Sequence, residues 1–95
     1  MAVMLPHVAT SDVVAVYDTL ASHGLATGNH DLLGDMICCP GLDYCNLANA
    51  RSIPTASAIL ERYQDLDELD DLGEIDLHIS GCINSCGHHN SGHIG

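Results

Sequence analysis

Lysine, phenylalanine and tryptophan are all missing from this chain, and only Tyr17, Tyr44 and Tyr63 supply aromatic rings. The core must therefore be assembled from Val, Leu, Ile, Ala and Met. In 95 residues that core is small, because a single domain of this size buries only about 60–70% of the surface its unfolded chain exposes. Cationic side chains are nearly absent too. Arg51 and Arg62 stand against thirteen acids, for a formal net charge of −11. That sign repels polyphosphate and argues against a nucleic-acid partner. No apolar run approaches the roughly 20 residues needed to cross a bilayer. The first twenty residues hold no Lys or Arg and no sustained apolar segment, so they do not read as a secretory leader. These absences predict a soluble, cytoplasmic protein with no membrane partner. The 46% hydrophobic content sets it apart from acidic disordered chains.

Periodicity supplies the elements. The opening "MAVMLPHVA" is apolar and compatible with a strand. "TSDVVAVYDTLASHG" predicts a helix, with Thr10 or Ser11 as cap, Asp12 in the first turn and Gly24 at the end. Val13, Val16, Tyr17 and Leu20 recur at helical spacing and are expected to form a buried stripe. Leu33 to Ile37 reads as a short strand delivering Cys38 and Cys39 to the Pro40–Gly41 turn. "PTASAILERY" predicts a second helix with Ala56, Ile59, Leu60 and Tyr63 on one face. Seven of residues 65–76 are acidic, yet Leu66, Leu69 and Leu72 recur every third position. That stretch reads as a solvated acidic face with one packing side, and it lacks the spacing of a calcium loop. "EIDLHIS" alternates Ile75, Leu77 and Ile79 against Asp76 and His78, as a half-buried strand does, and ends at Gly81 and Cys82. Helical connections suit parallel pairing. The expected fold is α/β, with helices on a small mixed or parallel sheet.

Five cysteines in a cytoplasmic chain point to metal binding or catalysis more than to disulfides. Cys39-x5-Cys45 and Cys82-x3-Cys86 form two pairs, each following a predicted strand. Four thiolates from two loops can enclose a zinc ion, whose sites favour pair spacings of about two to four residues. They can also enclose an iron–sulfur cube, which spans more space than one ion and suits the wider x5 loop. The second pair lies within "HISGCINSCGHHNSGHIG", where His88, His89 and His93 follow it. His88 and His89 could bind zinc or serve as proton donors, and are read as polar loop residues. Cys38 is read as a small core residue.

The stretches "CPGLDYCNLA" and "SGCINSCGHH" resemble the cluster-binding signature of the sirohaem-dependent nitrite and sulfite reductases. The likeness spans residues 11–95. It implies that Cys39, Cys45, Cys82 and Cys86 hold a [4Fe-4S] cluster and that Cys86 also bridges to sirohaem, with Asn84 as a macrocycle contact. It further implies six-electron reduction of sulfite to sulfide or of nitrite to ammonia, with electrons from a ferredoxin or flavoprotein. Two positions depart from the family pattern. Ile83 stands where the family often has Pro, and Cys38 adds a thiol beside Cys39.

Anionic substrate and the carboxylates of sirohaem require several cationic side chains. At an effective dielectric of about 20, an unpaired like charge about 4 Å away costs about 4 kcal/mol. Two arginines cannot meet that need, and Arg51 is read as a surface residue. "SGHIG" ends where a further strand begins. Residues 1–95 are therefore expected to be part of a [4Fe-4S]/sirohaem-binding domain, inactive alone and completed by the remainder of the reductase chain. Under the same reading, a structural zinc module that binds a protein partner is the alternative, using some of the four cysteines and His88. A cube-bearing electron carrier without haem is a third.

Overall fold

A computed structural model describes residues 4–95. Among these residues, three helices accompany a two-stranded parallel sheet, a small α/β fold. Helix α1 spans Val13–Ser22, strand β1 Ile37–Cys38, helix α2 Ser52–Arg62, helix α3 Leu66–Leu72 and strand β2 His78–Ile79. Ile37 is paired with His78 and Cys38 with Ile79. Single bridges widen this minimal sheet: Leu77 pairs in parallel with Ile94, and Leu32 pairs antiparallel with Glu74. The C-terminal strand expected from "SGHIG" is thus present as one rung. The first three residues of the expected opening strand lie outside the described residues. From Met4 to Ala9 no strand forms.

The helices end where their sequences say they should, but they begin differently. Gly24 adopts φ +69°, and the amides of Gly24 and Leu25 bond back to Ala21 and Leu20. This is the glycine-terminated closure that removes orphan carbonyls at a helix end. At the other end, Thr10–Asp12 forms a single 3-10 turn, and neither Thr10 nor Ser11 caps α1. Helix α3 does have a side-chain cap: the Asp65 carboxylate accepts the Asp67 amide at 3.0 Å. Pro54 falls in the first turn of α2, where its missing N–H would be unpaired in any case.

The core is as small as the composition requires. Leu33, Met36, Ala56, Leu69 and Leu77 form its centre, surrounded by Leu32, Cys38, Ile59, Tyr63, Ile75 and Ile79. Helix α2 packs on β1, and α3 packs on the 3-10 turn Leu33–Asp35. That turn replaces most of the strand expected at Leu33–Ile37. The Asp35 carboxylate accepts the Asp31 amide and meets the His30 ring, so side-chain bonding bends the segment before it can extend. The expected buried stripe on α1 does not form. Val13 and Tyr17 are exposed, Val16 and Leu20 only half-buried, and α1 has no buried residue. On α2, Leu60 is likewise exposed while Ala56 is buried.

Leu69, 3% exposed, ties the acidic helix α3 to the core. Leu69→Ala should lower the unfolding free energy by about 2–5 kcal/mol. Leu72→Ala, at a position 45% exposed, should change it by about 0.5 kcal/mol or less. Urea denaturation of the two variants checks the contrast.

Candidate metal centre

The parallel strand pair delivers both cysteine loops to one end of the sheet. The Ile37 amide donates to the Leu77 carbonyl at 3.0 Å, and the Cys39 amide donates to the Ile79 carbonyl at 3.0 Å. In a parallel ladder the next rung would run from the Gly81 amide to the Cys39 carbonyl. Instead the Gly81 N–H reaches the Cys39 sulfur at 3.1 Å. The carbonyl left out of the ladder lies 3.3 Å from the Cys38 sulfur, which donates to it. A sulfur thus takes the place of a backbone oxygen where the two loops begin.

Two glycines make this approach possible. Gly41 sits at φ +65°, and a Cβ there would lie 2.6 Å from the Ser52 amide nitrogen. A Cβ on Gly81 would lie 2.8 Å from the Ala50 carbonyl and 3.1 Å from the Gly41 Cα. The loop after Cys45 closes onto the same place, because the amides of Asn49 and Ala50 both donate to the Gly81 carbonyl, at 2.8 and 3.1 Å. The Cys45 amide bonds back to Gly41 at 2.8 Å. Beyond Cys82, the Gly87 amide donates to the Ser80 hydroxyl at 3.0 Å and draws the Cys86 turn back to the end of β2. The segments carrying Cys39, Cys45 and Cys82 are thus tied at Gly41 and Gly81, and the Cys86 turn is tied to Ser80 beside them.

The four sulfurs differ in exposure. Cys39 is buried, Cys45 and Cys82 are half-buried and Cys86 is exposed. Cys86 lies between Ser85 and His88, both left-handed at φ +57° and +55°. Such residues cost about 1–3 kcal/mol each and persist only where the surroundings fix them. Asn84 is exposed in the same turn, and Ile83 is the most exposed of the large apolar residues among those described. All five cysteines are free.

Neighbouring thiols are driven in opposite directions. The Ser52 hydroxyl, 3.4 Å away, holds the Cys39 thiol below its ordinary pKa, and backbone N–H groups of Gly81 and Gly41 reinforce it against the opposing effect of burial. Burial, followed by the charge of Cys39, pushes the Cys38 thiol up. Thiolate character, which a metal ligand needs, favours Cys39 over Cys38.

His78 and His93 serve local structure. His78 Nδ1 lies 2.8 Å from the His88 carbonyl. The Asp76 amide donates to His93 Nδ1 at 3.1 Å. His89 Nδ1 is buried with no partner among the described residues and borders a cavity of about 510 Å³ that also reaches Cys82, Ile83 and Ile94. Arg51 is engaged by Asp43, with nitrogen–oxygen distances of 2.9 and 2.7 Å, and Arg62 lies 3.5 Å from Glu68.

Sequence reasoning overlooked Ser52, which no motif marks. It also overlooked His30, Asp31 and Asp35, whose ligand atoms lie within 4.8 Å of one another on the surface. No three cysteines gather that tightly among the described residues. Four sulfurs on one zinc ion would stand about 3.8 Å apart, given zinc–sulfur bonds of about 2.3 Å. A cube would span more space than one ion, and the Gly81 N–H on the Cys39 sulfur is the kind of hydrogen bond such a centre would receive. Sirohaem is different. Its carboxylates find no free cationic partner among the described residues, since both arginines face acids.

Because the folded-state pKa of Cys39 lies below the ordinary value of 9.0, its stabilising effect is fully present above about pH 9 and is lost as pH falls through the folded value. The stability advantage of the metal-free protein over Cys39→Ser should therefore grow between pH 6 and pH 9. Denaturant titrations across that range measure it. Compared with protein families, with curated proteins and with solved structures, this chain finds no match in any of the three.

Proposed function

We propose that this chain holds a [4Fe-4S] cluster through Cys39, Cys45, Cys82 and Cys86, as the electron-transfer segment of a sirohaem-dependent sulfite or nitrite reductase. The observation that carries the proposal is the Gly81 N–H on the Cys39 sulfur, which locks the two cysteine loops together at the ends of parallel strands. A cube of this kind passes single electrons. The residues here would fix the sulfurs, donate hydrogen bonds to them and exclude water from the Cys39 side.

Cys86, the exposed member of the set, is the thiolate proposed to bridge to sirohaem, with Asn84 beside it. The macrocycle itself and the anionic substrate need cationic residues that this chain does not offer. Those residues would come from the remainder of the reductase, which would also cover the exposed Leu42, Tyr44, Leu47 and Ile83 around the cysteine loops. A ferredoxin or flavoprotein would supply the electrons. No helix among the described residues is long and apolar enough to cross a membrane. With five free thiols, the reductase is proposed to work in the reducing cytoplasm.

Anaerobic reconstitution with iron and sulfide should give about four irons per chain and the broad visible absorbance of a cube. Cys45→Ser and Cys82→Ser should each abolish most of that absorbance. Cys38→Ser should retain it. Stoichiometric zinc, without iron or acid-labile sulfide, in the natively purified protein would overturn the proposal in favour of a structural zinc module.

A further inference from the structure

Ser52 is the only buried polar residue among those described, at 2% exposure. It opens helix α2, thirteen residues from Cys39 in sequence, and the Cys39 sulfur is the partner its hydroxyl finds, at 3.4 Å. Its position is enforced from two sides. A Cβ on Gly41 would lie 2.7 Å from the Ser52 hydroxyl oxygen, and one on Gly81 would lie 3.0 Å from it. Both loops therefore lack side chains where Ser52 needs room. A serine whose task was only to fill that space could be an alanine, since the hydroxyl needs a partner that the methyl group does not.

We infer that Ser52 is a positioning residue that sets the reduction potential of the bound centre, by donating its O–H to the Cys39 sulfur alongside the N–H of Gly81. The inference rests on the cluster reading given above. Adding an electron to a cube makes its sulfurs more negative, and a donor hydrogen bond favours that more charged state. Ser52 thus raises the potential. The donor is preorganised, because α2 and two glycine contacts hold it before any electron arrives. The step is a single-electron reduction of the cube, with dithionite as reductant in the test and no bond made or broken at Ser52.

The experiment compares the full-length wild type, Ser52→Ala and Ala56→Gly after anaerobic reconstitution, using redox titration followed by electron paramagnetic resonance. Ala56 is buried one turn further along α2, so Ala56→Gly weakens the same helix while leaving the hydroxyl in place. Ser52→Ala should change the reduced-to-oxidised ratio at fixed potential by about tenfold, equivalent to a fall of about 59 mV for one electron. Ala56→Gly should leave the potential at the wild-type value. Equal potentials in wild type and Ser52→Ala would overturn the inference while leaving the cluster reading intact. A wild type that takes up no cluster would overturn both. Should Ser52→Ala fail to fold, the wild type itself still decides. Pulsed electron–nuclear double resonance with 15N labelling and exchange into D2O should find an exchangeable hydrogen coupled to the reduced cube that is not bound to nitrogen. Finding only nitrogen-bound hydrogens would overturn the inference.

Discussion

Everything at the candidate centre depends on one substitution in a hydrogen-bond ladder: a sulfur accepts where a backbone oxygen would. The parallel register of Ile37 with His78 and Cys38 with Ile79 leads directly to that rung. Once the Gly81 amide is committed to the Cys39 sulfur, the first cysteine loop cannot move independently of the second. Backbone amides are obligatory donors, and burying one without a partner costs about as much as a lost hydrogen bond. Displacing the sulfur would orphan the Gly81 N–H in the interior. The contact is therefore maintained by the sheet as well as by the thiol.

Close approach, more than core volume, shapes this end of the molecule. The apolar centre contains only a handful of buried side chains and no aromatic residue larger than the half-buried Tyr63. Around the cysteines, by contrast, Gly41, Gly81 and Ser52 meet with no room for an added methyl group. Loops are ordinarily the soft part of a small domain. Here they are bound by Asn49 and Ala50 to Gly81 and by Gly87 to Ser80. Close contacts and loop hydrogen bonds thus concentrate in the segments that carry the cysteine pairs.

The sequence reveals some of this and conceals the rest for definite reasons. Alternation in "EIDLHIS" and the helix between the cysteine pairs identify two parallel strands, because those patterns reflect burial that local residues control. Cys39 and Cys82 fall just beyond the strand ends, as their spacing suggests. The Leu33–Ile37 segment misleads because Asp35 bonds backward to Asp31, a local competition that apolar patterning does not record. Helix α1 misleads in another way. Its stripe is genuine, but an amphipathic pattern does not say what covers it, and among the described residues only Val16 and Leu20 are covered even in part. Ser52 is invisible in sequence because its importance comes from a partner brought to it by the fold.

The exposure gradient across the four sulfurs gives the arrangement a direction. Cys39 lies inside, held by Ser52 and by backbone amides, while Cys86 lies outside between two left-handed residues. Hydrogen bonding and burial act most strongly on the inner sulfur, where water cannot compete with them. The outer sulfur has fewer constraints and is accessible to a further ligand. For the proposed cube this divides the work. The buried corner sets how readily an electron is accepted, and the exposed corner offers the route out. The chain's strongly negative charge acts in the opposite sense to those hydrogen bonds, because carboxylates disfavour the reduced state. In the proposed centre, donors at the inner corner would oppose that field where it is least screened, a role for which the buried Ser52 hydroxyl and the Gly81 N–H are placed.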